Sequence, residues 1–208
     1  MWEHDNGAMP PSSLAEDEYE STVASLRGTR LTEVTYYPLS CGDEGTEVED
    51  WDFGGWHLPT MGVELRAENG TRYSAVWGQS FDYYGLEIFQ ASMSSQLGLI
   101  GEPGGSPEVG VTGHPCWAGL IGVPLLGADI VWSEGDYGLR LPVAVELRAP
   151  SATAWLVAGR PAQWPPDGRF YLGTDDVMVV FTRELAGMIG LPLESEEAGG
   201  MRQRDGAR

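Results

Sequence analysis

An identical pentapeptide occurs twice in this chain, and it constrains the fold more than any other feature. Val63-Glu64-Leu65-Arg66-Ala67 returns as Val145-Glu146-Leu147-Arg148-Ala149. One repeated word can arise by chance, so the flanks decide. Leu58-Pro59 answers to Leu141-Pro142, and Leu26-x-Gly28-x-x-Leu31 answers to Leu120-x-Gly122-x-x-Leu125. Phe89 is followed by Gly98-Leu99 at the same interval that separates Phe181 from Gly190-Leu191. Four anchors in one order predict a tandem duplication, roughly Leu26–Ile100 and Leu120–Pro192.

Within each copy the pattern is that of strands. Val63 and Leu65 alternate with Glu64 and Arg66, as Val143, Val145 and Leu147 alternate with their neighbours, which is the period of a half-buried strand. Asn69-Gly70 supplies a tight turn, because both residues tolerate positive φ, and Thr71–Trp77 returns. Pro150-Ser151 turns the second copy toward Ala154–Ala158. First strands are expected at Leu31–Tyr37 and Ala128–Trp132, last strands at Leu86–Phe89 and Val177–Phe181, each followed by a short helical segment ending at Gly98 or Gly190.

The fold class expected is therefore α+β and predominantly antiparallel: two ββββα units about a pseudo-twofold, preceded by a helix over about 13–27 that opens on the capping box Ser13-x-x-Glu16. The organisation expected is a disordered N-terminus (1–12), the helix plus first repeat (13–100), a Gly/Pro-rich linker (101–119), the second repeat (120–192) and a disordered tail (193–208).

Charge narrows the function. All 12 basic residues are arginine, against 31 acids, for a net charge of -19. Without lysine there is neither a lysine-containing phosphate loop nor a Schiff-base enzyme, and so acidic a chain does not suit a phosphate backbone. The N-terminus lacks the basic and apolar regions of a signal peptide, and the apolar stretch Trp117–Val131 is broken by glycine, proline and Asp129, so a cytoplasmic protein with reduced Cys41 and Cys116 is expected.

The copies differ by insertion. Leu26 to Leu58 is 32 residues where Leu120 to Leu141 is 21, and Ala149 to Phe181 is 32 where Ala67 to Phe89 is 22. Loops on a shared scaffold are where binding residues gather. The first insertion packs Asp43, Glu44, Glu47, Glu49, Asp50 and Asp52 beside Trp51, Phe53 and Trp56. Residues 1–60 carry a net charge of -11. The primary expectation is a non-enzymatic protein of immunity or antitoxin type. It would present this acidic, aromatic loop to a basic protein partner, the aromatics supplying area and the carboxylates steering. The alternative is a small-molecule enzyme or carrier with a cleft between the repeats, lined by His57, Trp77, Arg140, Trp155 and Arg160.

Other chemistries find less support in the sequence. The acidic run lacks the glycine and glutamate positions of a calcium loop. His114-Pro115-Cys116 invites a thiol nucleophile, but adjacency in sequence is weak grounds, and Cys116 reads as a small buried hydrophobe. Gly78–Asp82 lacks the second glycine of a nucleophile elbow. No catalytic residue, metal or cofactor is expected.

Overall fold

A computed structural model describes residues 16–41, 47–81, 83–98, 100–101, 105–134 and 140–193. The strands expected from alternation are all present: β1 (Leu31–Tyr37), β5 (Gly62–Ala67), β6 (Arg72–Gly78), β7 (Gly85–Phe89), β9 (Gly127–Glu134), β10 (Arg140–Arg148), β11 (Thr153–Pro161) and β12 (Phe170–Val180). Four short strands join them: β2 (Ser40–Cys41), β3 (Glu47–Val48), β4 (Trp56–Thr60) and β8 (Val109–Gly110). One five-stranded sheet has the order β7-β6-β5-β1-β8, the other β4-β12-β11-β10-β9, and β2 pairs with β3. All the named pairings are antiparallel.

Local chemistry explains the hairpins. Gly70 takes φ +85 and the Thr71 amide donates to Asn69 Oδ1, closing the β5–β6 turn. The Ala149 amide donates to the Ala152 carbonyl at 2.8 Å to close β10–β11.

The sheets pack face to face. Val34, Leu65, Ala75 and Ile88 of the first meet Val145, Leu147, Leu156 and Val177 of the second in one core cluster, with Trp117 and Leu120 inside it. Helix α1 (Glu16–Ala24) buries Tyr19 and Val23 against this core and carries three acids in its first turn, where the helix dipole favours them. Ser13 of the capping box lies outside the described residues, as do 1–12 and all but Leu193 of the tail expected to be disordered over 193–208.

The second sheet is covered on its other face too. Trp155, Val157, Met178 and Val180 pack with Ala186, Ile189 and Leu191 in and after α2 (Arg183–Met188), whose cap is the Thr182 hydroxyl accepting from the Leu185 amide. That double cover is why Ala154–Ala158 reads as an unbroken apolar run. The helical segment expected before Gly98 is one 3-10 turn, Met93–Ser95.

Three segments depart from the sequence expectation. Leu58-Pro59 lies in β4, which leaves the first half and pairs with β12 at the edge of the second sheet, whereas Leu141-Pro142 lies inside β10. The 11 extra residues before Leu58 give the chain enough length to make that crossing. It returns through Thr60, at φ +49, to Gly62 at the head of β5. The second insertion is largely strand, lengthening β11 and β12 into an arm tipped by Ala162–Arg169. Residues 101–119 do more than link: β8 pairs with β1, and Pro115–Trp117 forms a 3-10 turn. Among the described residues no helix is long and apolar enough to cross a membrane.

Candidate functional site

The acidic segment separates its two kinds of residue. Glu47, Asp50 and Asp52 are exposed and Glu49 is half-buried; Asp43 and Glu44 lie outside the described residues. The aromatics point inward. Trp56 is 8% exposed and stacks on Phe53 at 4.4 Å, and Trp51 sits edge-on to Tyr36 and His57. Aromatic area beside strand edges goes to the core because burying it is worth more there than leaving it in water.

An exposed aromatic does stand next to this segment, supplied by the other insertion. Trp164, at the tip of the β11–β12 arm, is 56% exposed and its edge meets Phe53 at 5.3 Å. The two inserted segments thus share one groove of about 300 Å³, lined by Leu39, Glu49, Leu58 and Thr60 on one side and by Arg160, Gln163, Trp164 and Asp176 on the other. Arg160 lies 3.6 Å from Asp175 and 3.8 Å from Asp176, and the Thr60 hydroxyl donates to Glu49 at 3.4 Å. Two carboxylates therefore flank one guanidinium, and Glu49 lines the same groove. Burial, reinforced by Asp175 and Glu49 and opposed by Arg160, pushes the Asp176 carboxyl up to about 6.

That shift has a consequence for stability. A carboxyl raised in the folded state binds its proton more tightly there than in the unfolded chain. Its contribution is most favourable below the ordinary carboxylate range and is lost as pH rises from about 4 to about 6. Asp176→Asn is expected to stabilise the protein by about 2 kcal/mol at pH 7.5 and hardly at all at pH 4. Urea denaturation at the two pH values measures it, and an equal effect at both would refute the assignment.

The five residues expected to line a cleft between the repeats have separate surroundings. Trp155 is 2% exposed in the core beneath α2, and Trp77 packs on Tyr84. Arg140 lies over the Trp132 ring and pairs with Glu16, while Arg160 belongs to the groove. His57 is fully buried.

His57 belongs instead to a cluster that sequence inspection missed. β4 carries it to the His114–Trp117 turn, where one ligand atom each from His57, His114 and Cys116 lie within 4.8 Å of one another. The rings of His57 and His114 are nearly perpendicular, 4.5 Å apart. His57 Nδ1 is 2.8 Å from the Tyr36 hydroxyl, which also accepts from Trp117 Nε1 at 2.8 Å. His57 Nε2 is buried without a hydrogen-bond partner. Asp52 faces both imidazoles, Oδ2 lying 3.2 Å from His114 Nε2 and Oδ1 3.5 Å from His57 Nε2.

Burial, with the neighbouring His114, pushes His57 down to about 4 against the pull of Asp52. The Gly54 amide donating to Asp52 holds its carboxyl below the usual range, and His114 adds to that. Cys116 is half-buried rather than buried. Its thiol donates to the Gly54 carbonyl at 3.4 Å, and burial together with Asp52 raises its pKa. A nucleophilic cysteine needs the opposite shift, so the cluster does not read as an activated thiol.

Neither family models, nor curated proteins, nor solved structures provide a match to this chain.

Proposed function

We propose that this chain is a binding protein that captures a basic segment of a partner protein in the groove between its two inserted segments, as an immunity- or antitoxin-type protein would. The observation that carries the reading is that Glu49 and Asp176, from different insertions, line one groove with the exposed Trp164. A guanidinium or ammonium there gains the face of an indole and carboxylates that outnumber the resident arginine. The apolar floor at Leu39 and Leu58 suits the aliphatic stem of such a side chain. A chain of net charge -19 also steers a basic partner toward itself.

An arginine-rich peptide, followed by fluorescence anisotropy, is expected to bind saturably and to lose about tenfold in affinity with Trp164→Ala or Asp176→Asn, the equivalent of about 1.4 kcal/mol. Affinity is expected to fall as pH drops through about 6, where Asp176 takes up its proton beside Asp175, Glu49 and Arg160. Binding that both substitutions leave unchanged would reduce the effect to general acidity and overturn the reading.

The proposal includes a tandem origin for the scaffold, with a pseudo-twofold between its halves. The repeated pentapeptides fall on the second strand of a run of four antiparallel neighbours, β1-β5-β6-β7 in one sheet and β9-β10-β11-β12 in the other, Ala149 standing one residue past β10. A reciprocal contact also supports it: the Gly28 amide donates to the Leu125 carbonyl, and the Gly122 amide to the Leu31 carbonyl, both at 2.8 Å. These four residues are the matched anchors of the two copies, and exchange of equivalent partners is what a twofold axis produces.

A further inference from the structure

The geometry points to a binding site for one zinc-class divalent cation, formed by His57, His114, Cys116 and Asp52. It stands apart from the groove and does not depend on that reading. Four separate observations converge on it.

The first is an orphan. His57 is 0% exposed, and its Nε2 has no hydrogen-bond partner although Nδ1 has one in Tyr36. A buried ring nitrogen left unpaired costs free energy unless something completes it. Metal-bound imidazoles have this arrangement, one nitrogen on the ion and the other hydrogen-bonded in the layer behind. Tyr36 fits that outer role because Trp117, next to Cys116 in sequence, donates to it and fixes its position.

The second is spacing. In a tetrahedral zinc site with bonds of about 2.0–2.1 Å, neighbouring nitrogen and oxygen donors lie about 3.3 Å apart. Asp52 presents one oxygen to each imidazole, Oδ2 3.2 Å from His114 Nε2 and Oδ1 3.5 Å from His57 Nε2, each separation about the length of such an edge. The nitrogen and sulfur donors already lie within 4.8 Å of one another, and His114 and Cys116 are only half-buried.

The third is donor chemistry. Two imidazoles, a thiol and a carboxylate exclude the hard ions, which take oxygen, and match zinc and its neighbours. Loading the ion displaces the Cys116 proton from its bond to Gly54, so sulfur binds as thiolate and one proton leaves to solvent. The thiolate and the Asp52 carboxylate then balance the two charges of the cation.

The fourth is where the donors come from. Asp52 and His57 flank the turn closed by the Phe53 amide on the Trp56 carbonyl, and His114 and Cys116 belong to the turn that follows β8. The ion would staple the first insertion to the segment joining the two halves. Its role by this geometry is structural, and it stiffens the turn carrying Phe53.

The chain holds three histidines and two cysteines, so the controls are complete: His4 and Cys41 are the only ones outside the cluster. The test is titration of chelator-stripped full-length protein with Co2+, read by absorption, and with Zn2+, read by thermal unfolding. One equivalent of Co2+ is expected to give the intense visible bands of a tetrahedral site and a thiolate charge-transfer band. Cys116→Ser should abolish the charge-transfer band, and His114→Gln should weaken binding at least tenfold. His4→Gln and Cys41→Ser should change neither. Zn2+ should raise the melting temperature of wild type but not of the Cys116→Ser/His114→Gln double variant, and Mg2+ should do nothing. Both replaced residues are partly exposed, so the test does not require replacing the buried His57. Weak octahedral Co2+ spectra, or equal Zn2+ stabilisation of the double variant, would overturn the proposal.

Discussion

Replacing Trp117 by alanine is expected to remove about 4 kcal/mol of folding stability. Trp117 is fully buried in the core shared by the two sheets and meets Phe181 edge-on at 5.4 Å. Its removal leaves a cavity that neither sheet can collapse into, because both are held by their strand ladders. It also takes the donor from Tyr36, and with it the support that orients His57. Domains of this size are stable by only about 5–15 kcal/mol, so the variant should unfold at markedly lower urea concentration. Trp117→Phe separates the contributions: most of the buried area remains, the hydrogen bond goes, and about 1–2 kcal/mol should be lost. A loss below about 1.5 kcal/mol in the alanine variant would contradict the packing described here.

Gly62→Ala is expected to cost about 3 kcal/mol, although it adds a single methyl group. A β-carbon at that position would stand 2.6 Å from the Ala75 carbonyl oxygen and 2.7 Å from the Met93 methyl. Ala75 is paired with Val63 across β5 and β6, so its carbonyl cannot withdraw without breaking the sheet, and the buried Met93 methyl must shift as well. The site is also where the chain, having left β4 through the left-handed Thr60, enters the first sheet. Gly70→Ala is the comparison. Nothing lies within 4 Å of its added carbon, so it pays only for a positive φ, about 1 kcal/mol. Denaturation curves for both decide the matter, and equal losses would mean that contact is not what requires glycine at 62.

These expectations rest on features of different legibility. The alternation around Val63–Ala67 and Val143–Leu147, and the Asn69-Gly70 turn, are local signals. Side-chain direction in a strand and the sign of φ at a turn depend on a few neighbouring residues, so β5, β6, β10 and β11 could be drawn from sequence with errors only at their ends. Helix α1 was legible for the same reason. The aromatic residues of the first insertion were not. Whether Trp51 and Trp56 face a partner or the core depends on what lies beneath them, and here that is Tyr36, His57 and the second sheet.

By itself, then, the sequence determined an acidic, lysine-free, mostly antiparallel chain and where its main strands begin and turn, because those follow from composition and short-range backbone preference. Only the tertiary structure decided which sheet β4 joins. An edge strand pairs wherever an open ladder lies within reach of its tether, and that geometry is not written in the strand's own residues. From that one choice the two functional features follow. β4 on the edge of β12 brings Glu49 and Leu58 against Trp164 and Asp176, and it carries His57 to His114 and Cys116, which stand far from it along the chain. Sites built from distant segments have no spacing to read, because closure of the fold, and not sequence distance, sets the separation of their atoms.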